Sequence, residues 1–501
     1  MKFKIIFFFL IIVSLKSSAQ NISVDYSPVI TNVDQKYGRV IWLSNGNDFK
    51  YISSQGKNIM KATTVTQLKG DMSSGNTTEF GVSGLNEKTS ATLWQAINNS
   101  TGFEALISVP AGDKTVALKK VQLNESGSVE SEQESIGTYP ASAMHNTANS
   151  SQSPDGKYHL VYNLPGYYYS NLSYVVFDSD NKAVRDFIMP TGYENGKLTI
   201  VNAVIDNAGN IFTLATIQET FSTFAYQLKL YRADDNKGVD VAISSLEKLK
   251  YVDDLFLNTD TKGVVYLSGR YLEKKDANMN AEGFFMQKIN AETAKTELWM
   301  NANFNSDATA LKSLSRTMRV DKIVSLPDGN FGMVGECTFN TADGLSIDFV
   351  NDRRYTWMES VLIMKVSAAG KILSSKIIER NQNIVDPAKR LFCGSAILMK
   401  GTKCFMIYNE SLGSIEKRKA GDKPINYSAY RDKSSMVLAE IDLANGSYTE
   451  KYLTDIKPYT EKLKPILIPG FSQLCNDDKT IAVKLDIGVK GSCRYVFVNV
   501  E

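Results

Sequence analysis

A repeated pattern of tight turns constrains this sequence more than any other feature. Short runs rich in Asp, Asn and Gly separate pairs of alternating apolar segments, a pattern that indicates β-hairpins. The glycines of the clearest turns are spaced 53, 54, 66 and 72 residues apart, and they are Gly156, Gly209, Gly263, Gly329 and Gly401. A second turn follows each of them, near residues 178–181, 233–236, 291–294, 368–371 and 443–446. Each unit therefore predicts four strands.

Weaker copies of the first turn extend the series at both ends. Two precede it, near residues 54–56 and 125–127, and one follows near residues 476–478. Units of this size are typical of a β-propeller, in which loop insertions lengthen individual blades. The last copy ends after its third strand, so we expect an amino-terminal strand to complete that blade and close the ring. The sequence predicts an all-β propeller of seven four-stranded blades, with eight as the alternative, formed by residues 20–501 as a single domain.

Two or three packed β-sandwich domains are the rival architecture, because sandwiches also contain short strands and turns. The even rhythm of four strands, with no linker between units, favours the propeller.

Two repeats read Ser-Pro-Asp-Gly-Lys-Tyr (Ser153–Tyr158) and Leu-Pro-Asp-Gly-Asn-Phe (Leu326–Phe331). These motifs resemble the repeats of bacterial β-propellers of the TolB and WD40-like kind. The resemblance implies the fold over most of the chain and assigns no functional residue.

The amino end predicts export. Lys2 and Lys4 precede an apolar run over residues 5–13, and Ser17-Ser18-Ala19 supplies the small residues of a cleavage site, so residues 1–19 are expected to be a signal peptide. We expect a periplasmic or extracellular protein without a membrane span, since no other stretch approaches the length of a spanning helix. Cleavage changes the formal charge from +2 to −1. A nearly neutral chain has no general attraction for nucleic acid.

Few residues suggest catalytic or metal chemistry. The two histidines, His145 and His159, lie outside any cluster with zinc-ligand spacing, and no Gly-x-Ser-x-Gly elbow is present. The segment 178–182 begins like a calcium loop, but Lys182 stands where a ligand belongs, so a simple turn is expected. The basic run 416–419 is interpreted as a solvated loop tip. The sequence assigns no catalytic residue, no metal ligand and no cofactor.

Five cysteines lie in the last third of the chain, and an odd number cannot all pair within one molecule. A bridge between Cys393 and Cys404 is disfavoured, because a hairpin turning at residues 401–402 places Cys404 opposite Met399. The cysteines are instead expected to be small buried hydrophobic residues.

Apolar periodicity also predicts a set of buried strand residues. This set is Val324, Val334, Leu362, Met364, Ile407 and Leu438.

The long connections between second and third strands are the predicted interaction site. Equivalent loops of successive blades lie on one face of a propeller, and here they are residues 164–174, 217–226, 337–360 and 409–435. They are rich in aromatic residues and arginine, which dominate the energetics of protein interfaces. The predicted binding residues are Tyr167, Tyr168, Tyr169, Phe221, Phe224, Arg353, Arg354, Tyr355, Trp357, Tyr427, Tyr430 and Arg431.

These features favour a non-enzymatic binding or scaffold propeller of the bacterial envelope that recognises a protein or a glycan. The alternative is a carboxylate-based enzyme, a lyase or a glycosidase, with its site at the mouth of the central channel. An enzyme requires convergent acids or bases at that mouth, whereas a binding protein requires an apolar patch rimmed by aromatic residues.

Overall fold

The computed structural model shows strands throughout the part of the chain that it describes. The described residues are 22–31, 40–45, 48–53, 63–68, 74–80, 92–98, 102–112, 115–124, 130, 134–140, 148–163, 171–180, 182–190, 198–218, 224–243, 251–272, 283–303, 318–342, 354–384, 392–427, 429, 433–453, 464–475, 479–489 and 492–500. Within these ranges one short α-helix, α1 (Ser414–Lys419), interrupts the strands. None of the helical structure described here is long and apolar enough to cross a bilayer.

The strands form antiparallel sheets that follow one another along the chain, and we number these sheets as blades. Blade 1 contains β3 (Val40–Asn45), β4 (Asp48–Ser53), β5 (Thr63–Leu68) and β6 (Ser74–Phe80). Blade 2 contains β7 (Thr92–Asn98), β8 (Gly102–Gly112), β9 (Thr115–Asn124) and β10 (Glu134–Pro140). Blade 3 contains β11 (Ala148–Gln152), β12 (Tyr158–Asn163), β13 (Asn171–Asp178) and β14 (Ala183–Pro190). Blade 4 contains β15 (Leu198–Ile205), β16 (Ile211–Gln218), β17 (Phe224–Tyr231) and β18 (Val239–Asp240).

The next three blades have the same order. Blade 5 contains β19 (Tyr251–Thr259), β20 (Val265–Leu272), β21 (Gly283–Asn290) and β22 (Lys295–Asn303). Blade 6 contains β23 (Met318–Ser325), β24 (Phe331–Ala342), β25 (Arg354–Val366) and β26 (Ile372–Ile384). Blade 7 contains β27 (Ser395–Lys400), β28 (Lys403–Ser411), β29 (Ser434–Asp442) and β30 (Ser447–Tyr452).

Blade 8 joins the two ends of the chain. It contains β31 (Ile466–Leu474), β32 (Thr480–Asp486), β33 (Ser492–Val500) and β1 (Ile22–Tyr26), and the short β2 (Ile30–Thr31) also pairs with β33. Ile22 lies opposite Val500 and Tyr26 opposite Val496. Between β1 and β2, the buried Ser27 accepts a hydrogen bond at Oγ from the backbone N–H of Tyr495 at 2.9 Å. The expected closure by an amino-terminal strand is confirmed.

The predicted fold class is confirmed, because every pair of consecutive blades is in contact around a ring, mostly through their first strands, and β31 contacts both β27 and β3. Seven sheets consist of four consecutive strands, and the closing sheet brings the count over the described residues to eight, the alternative left open by the sequence. Two of the weaker turn assignments were wrong. In blade 1 the first turn follows Asn45, which pairs with Asp48, and residues 125–127 lie between the third and fourth strands of blade 2. The Asn45-Gly46 pair, a strong hairpin signal, identifies the correct turn in blade 1.

The predicted hairpin turns form because an aspartate side chain folds back on its own backbone. The Oδ1 atom of Asp206 accepts hydrogen bonds from the N–H groups of Ala208 at 2.9 Å and Asn210 at 2.8 Å. Gly209, between them, has φ 84°, a conformation that strains any residue with a Cβ. The turns also link neighbouring blades, since Asn207 donates a hydrogen bond to the Lys262 carbonyl of blade 5 at 3.0 Å.

The hydrophobic core lies within and between the blades. All six predicted core residues are buried, with exposures of 4% or less, so the predicted strand register in blades 6 and 7 is confirmed. Met399 lies opposite Cys404 as predicted, and Cys393 and Cys404 are buried thiols that form no disulfide bond. Cys475 and Cys493 are buried thiols as well, and burial raises the pKa of the Cys493 thiol to about 11.

Candidate functional site

The connections between second and third strands leave the blades at one edge. Strand order is the same in every blade, so second strands run in parallel directions and their carboxyl ends point to the same face of the ring. The links between blades return on this face as well, because a fourth strand runs in the direction of the second. This long-loop face is therefore opposite the tight Asp-Gly turns.

Several predicted binding residues belong to strands instead of loops. Arg354, Tyr355 and Trp357 lie in β25, and Trp357 pairs with Phe339 of β24. These two strands extend beyond β23, because Met318, the first residue of β23, pairs with Cys337, and β24 continues past that point to Ala342. Aromatic and β-branched residues alternate along them, which favours a strand over a loop. Blade 6 therefore carries a projecting hairpin, and the connection itself is residues 343–353.

The other predicted loops are also shorter than the sequence suggested. Strands occupy residues 171–174, 217–218, 224–226, 409–411 and 434–435, and Phe224 is the first residue of β17. Seven predicted binding residues lie outside the described residues. They are Tyr167, Tyr168, Tyr169, Phe221, Arg353, Tyr430 and Arg431.

Tyr427 is a packing residue and not a surface binding residue. Its side chain is 1% exposed and packs with Cys393 and Ala429, against Phe392. Its backbone N–H donates a hydrogen bond to the carbonyl of Asn381 in blade 6 at 2.7 Å. The ring is buried because the connection between β28 and β29, residues 412–433, folds down onto the link between blades 6 and 7. We call this connection the blade 7 insertion.

A buried arginine anchors the blade 7 insertion. Arg418 of α1 forms ion pairs with Glu410 at the end of β28 and with Glu450 of β30. Its Nη2 atom donates to Glu410 Oε2 at 2.7 Å and to Glu450 Oε2 at 2.6 Å, and Nη1 donates to the carbonyl of Glu379 in blade 6 at 3.1 Å. The three charged side chains are between 1% and 5% exposed. The prediction of a solvated tip over residues 416–419 is wrong for Arg418, because two carboxylates compensate its charge inside the protein.

The protonation of this cluster follows from its burial. Burial raises the pKa of Glu410, although hydrogen bonds from Arg418 act in the opposite direction. Burial alone lowers the pKa of Arg418, but its hydrogen bonds to Glu410 and Glu450 raise it above the ordinary value. Tyr408 donates a hydrogen bond to Glu450 at 3.3 Å, and burial next to Glu410 raises its pKa. The arginine therefore remains charged at neutral pH.

Tyr452 holds the beginning of α1. Its hydroxyl oxygen accepts hydrogen bonds from the N–H groups of Gly413 at 2.9 Å and Ile415 at 3.0 Å, and its proton is donated to Glu416 at 3.0 Å. Free N–H groups at the start of a helix require such acceptors. The insertion is thus tied to β30 by the ion pair of Arg418 with Glu450 and by the hydrogen bonds of the Tyr452 hydroxyl.

A second buried ion pair lies within blade 6, beside the first, and a serine of blade 7 bonds to it. Arg380 of β26, whose side chain is 0% exposed, pairs with Glu336 of β24 at 2.9 Å and donates to Ser395 Oγ at 2.8 Å. Ser395 in turn donates to Glu336. The guanidinium of Arg380 lies 5.2 Å from the centre of the Tyr408 ring. The two hydrogen bonds of Ser395 tie the first strand of blade 7 to blade 6, while the buried Nε of Arg380 has no hydrogen-bond partner among the described residues.

Asn409 extends the same network to blade 8. Its side-chain amide donates to the carbonyls of Leu467 at 2.8 Å and Phe392 at 2.9 Å, and its Oδ1 accepts from the N–H of Leu467 at 2.9 Å. Sequence analysis missed this site, because an Asn and a Glu at the end of a strand are ordinary surface residues in a sequence. The signal that the sequence did contain was an acid, Glu410, at the start of a predicted long loop that also holds a basic residue, Arg418, able to pair with it.

The exposed side chains of the inner strands are polar. Those described are Ser150, Gln152, Thr199, Lys322 and Ser472. The part of the chain described here contains no group of three or more His, Cys, Asp or Glu residues arranged to hold a metal ion.

Comparison with known proteins adds no assignment of function. No family model matches the chain, and no curated protein matches its sequence. Similar solved structures include the WD40 domain of SCAP from fission yeast, at 10% identity and a TM-score of 0.41 over 96% of this chain and 98% of that one. An oligogalacturonate lyase in complex with manganese is 9% identical over 95% of this chain and 98% of that one, with a TM-score of 0.37. Dipeptidyl peptidase 4 from Porphyromonas gingivalis is 9% identical with a TM-score of 0.41, and 89% of this chain aligns with 55% of that one. The propeller assignment rests on the strand order described above.

Proposed function

We propose that this protein is an exported, non-enzymatic binding or scaffold propeller of the bacterial envelope, and that it recognises a protein or a glycan through its long-loop face. The observation that carries the proposal is the anchoring of the blade 7 insertion, whose helix α1 is tied to β28 and β30 by a buried ion cluster. A surface that is ordered before binding loses little conformational entropy when a partner binds.

The projecting hairpin of blade 6 supports the same proposal. Phe339 and Trp357 form a cross-strand pair beyond the end of β23, and Thr341 pairs with Tyr355 further out. Aromatic residues are among the strongest contributors to binding energy at interfaces, so their place on this hairpin supports the proposal. The insertion and this hairpin leave adjacent blades at the same face.

The test replaces Tyr168, Tyr355 and Trp357 by alanine in one variant. Each residue that anchors a partner is expected to contribute about 2 kcal/mol or more, or roughly thirtyfold in affinity. Capture of protein and glycan partners from an envelope extract should therefore fall strongly, while the melting temperature stays nearly unchanged. A matched variant carries Val184→Ser and Val264→Ser, which change residues that are 49% and 37% exposed on other surfaces, and it should capture partners normally. If the aromatic variant loses several degrees of stability and keeps its partners, these rings are packing residues and the proposal is wrong.

A further inference from the structure

The outer surface of the blade 7 insertion brings two exposed aliphatic side chains together. Leu412 is 57% exposed and Ile425 is 41% exposed. Ser414 links their segments, because its Oγ accepts from the N–H of Ile425 at 3.0 Å. A Cβ placed on Gly413 would lie 3.1 Å from Ile425 Cδ1, so the two segments are in contact. The other large hydrophobic residues exposed in the described ranges are each on a different turn or strand, at Val184, Val264, Leu298 and Leu373.

Four exposed lysines lie on the segments that carry this aliphatic pair. The N–H of Leu412 donates to the carbonyl of Lys433 at 3.0 Å, and Lys423 is two residues before Ile425. Lys417 and Lys419 lie on α1, and all four lysines are exposed. Two acids accompany them: Asp422 pairs with Lys417 at 3.1 Å, and Glu416 accepts a hydrogen bond from Tyr452. The buried charge of Arg418 is compensated by Glu410 and Glu450, so the outer surface is locally positive.

This composition distinguishes between classes of partner. Protein interfaces are enriched in Tyr, Trp and Arg and depleted in Lys, and Leu is uncommon among their strongest contributors. Among the described residues of the insertion, Tyr427 and Arg418 are buried, whereas Tyr430 and Arg431 lie outside the described residues. Exposed aliphatic side chains on segments rich in lysine are instead typical of surfaces that lie at a bilayer interface, where lysines attract anionic headgroups. Lysine stems also extend from apolar to polar surroundings at such an interface.

We propose that the outer surface of the blade 7 insertion docks this protein on an anionic phospholipid bilayer. Leu412 and Ile425 enter the interfacial region, while Lys419, Lys423 and Lys433 contact lipid phosphates. The inference goes beyond the proposed function, because it concerns the outer surface of one insertion and not the partner held by the aromatic residues. The charge that drives docking is local, since the formal charge of the whole chain is only +2.

The experiment measures sedimentation of the purified protein, residues 20–501, with vesicles of phosphatidylglycerol mixed with phosphatidylcholine, and with vesicles of phosphatidylcholine alone. One variant carries Leu412→Ser and Ile425→Ser, and another carries Lys423→Gln and Lys433→Gln. Each lysine near an anionic surface contributes on the order of fivefold, so the lysine variant should bind the mixed vesicles roughly twentyfold more weakly. The aliphatic variant should lose on the order of tenfold. The matched control, Leu298→Ser with Lys295→Gln on β22, changes a 50% exposed leucine and an exposed lysine elsewhere, and it should bind like the unchanged protein.

The outcomes separate this inference from its alternatives. Equal binding of the unchanged protein to both kinds of vesicle, or an equal loss in the control variant, overturns it. If the lysine variant loses binding to soluble polyglutamate as well as to vesicles while the aliphatic variant binds normally, the surface recognises an acidic polymer and not a bilayer. Trypsin resistance at Lys419 shows that each variant keeps the insertion folded. Loss of vesicle binding with unchanged capture of envelope partners supports the docking surface and leaves the proposed function intact.

Discussion

Replacing Arg418 by methionine tests whether the buried ion cluster fixes the blade 7 insertion. Methionine keeps much of the apolar stem but removes the guanidinium, so Glu410 and Glu450 lose their common partner. Both carboxylates are 3% exposed or less, and neither can be solvated without opening the insertion. Removing one partner of a buried ion pair costs about 3–5 kcal/mol, because it leaves charge buried without compensation.

The expected consequence is local opening of residues 412–433. Since 1.4 kcal/mol corresponds to a factor of ten, this cost raises the open population about a hundredfold or more. Trypsin cleavage after Lys419, followed by mass spectrometry under native conditions, reports that population when opening and closing are fast. The matched control is Lys417→Met, whose ion pair with Asp422 joins side chains that are 52% and 58% exposed. An exposed pair of this kind contributes about 0–1 kcal/mol, so cleavage should change less than about fivefold.

A rescue variant makes the reasoning refutable. Adding Glu410→Gln and Glu450→Gln to Arg418→Met removes both unpaired charges while keeping side-chain volume, and it should restore much of the protease resistance. Cleavage of Arg418→Met at the unchanged rate would show that the ion cluster does not hold the insertion. Failure of the neutral variant to recover would show that the loss comes from packing and not from unpaired charge.

Two further predictions concern the tight-turn face. Gly370→Ala should destabilise the protein far more than Gly329→Ala, although φ is nearly the same at the two positions, 81° and 80°. A Cβ on Gly370 would lie 1.8 Å from a backbone carbonyl oxygen of blade 5, whereas a Cβ on Gly329 meets open space and adds only backbone strain of about 1–2 kcal/mol. Equal melting temperatures of the two variants would contradict this packing. The Lys365 hydrogen bond lowers the pKa of Asp328 from 3.8 to about 2, so the stability from this pair is present above pH 3.8 and is lost as the pH falls towards 2. The difference in melting temperature between the unchanged protein and Lys365→Met should therefore shrink over that range, and a difference independent of pH would exclude the ion pair as its cause.

Local chemistry made the fold predictable. An Asp-Gly turn forms from its own backbone and side chain, and apolar alternation with a period of two residues defines the buried face of a strand wherever it occurs. The predicted burial of Val334 and Ile407, and the closure of the last blade by an amino-terminal strand, followed from these signals. The first turns of blades 1 and 2 were predicted wrongly, and strand pairing shows where they lie.

The sequence by itself determined the strands, the turns and the side of the ring on which the long connections lie. Only the tertiary structure decided which residues of those connections face inward. Arg418 is buried because the fold brings two carboxylates to it, one 8 and the other 32 residues away, and Tyr427 is buried because the insertion folds onto the neighbouring blade. Whether a charge or a ring is buried depends on partners that are distant in sequence, and no local pattern records where those partners will be.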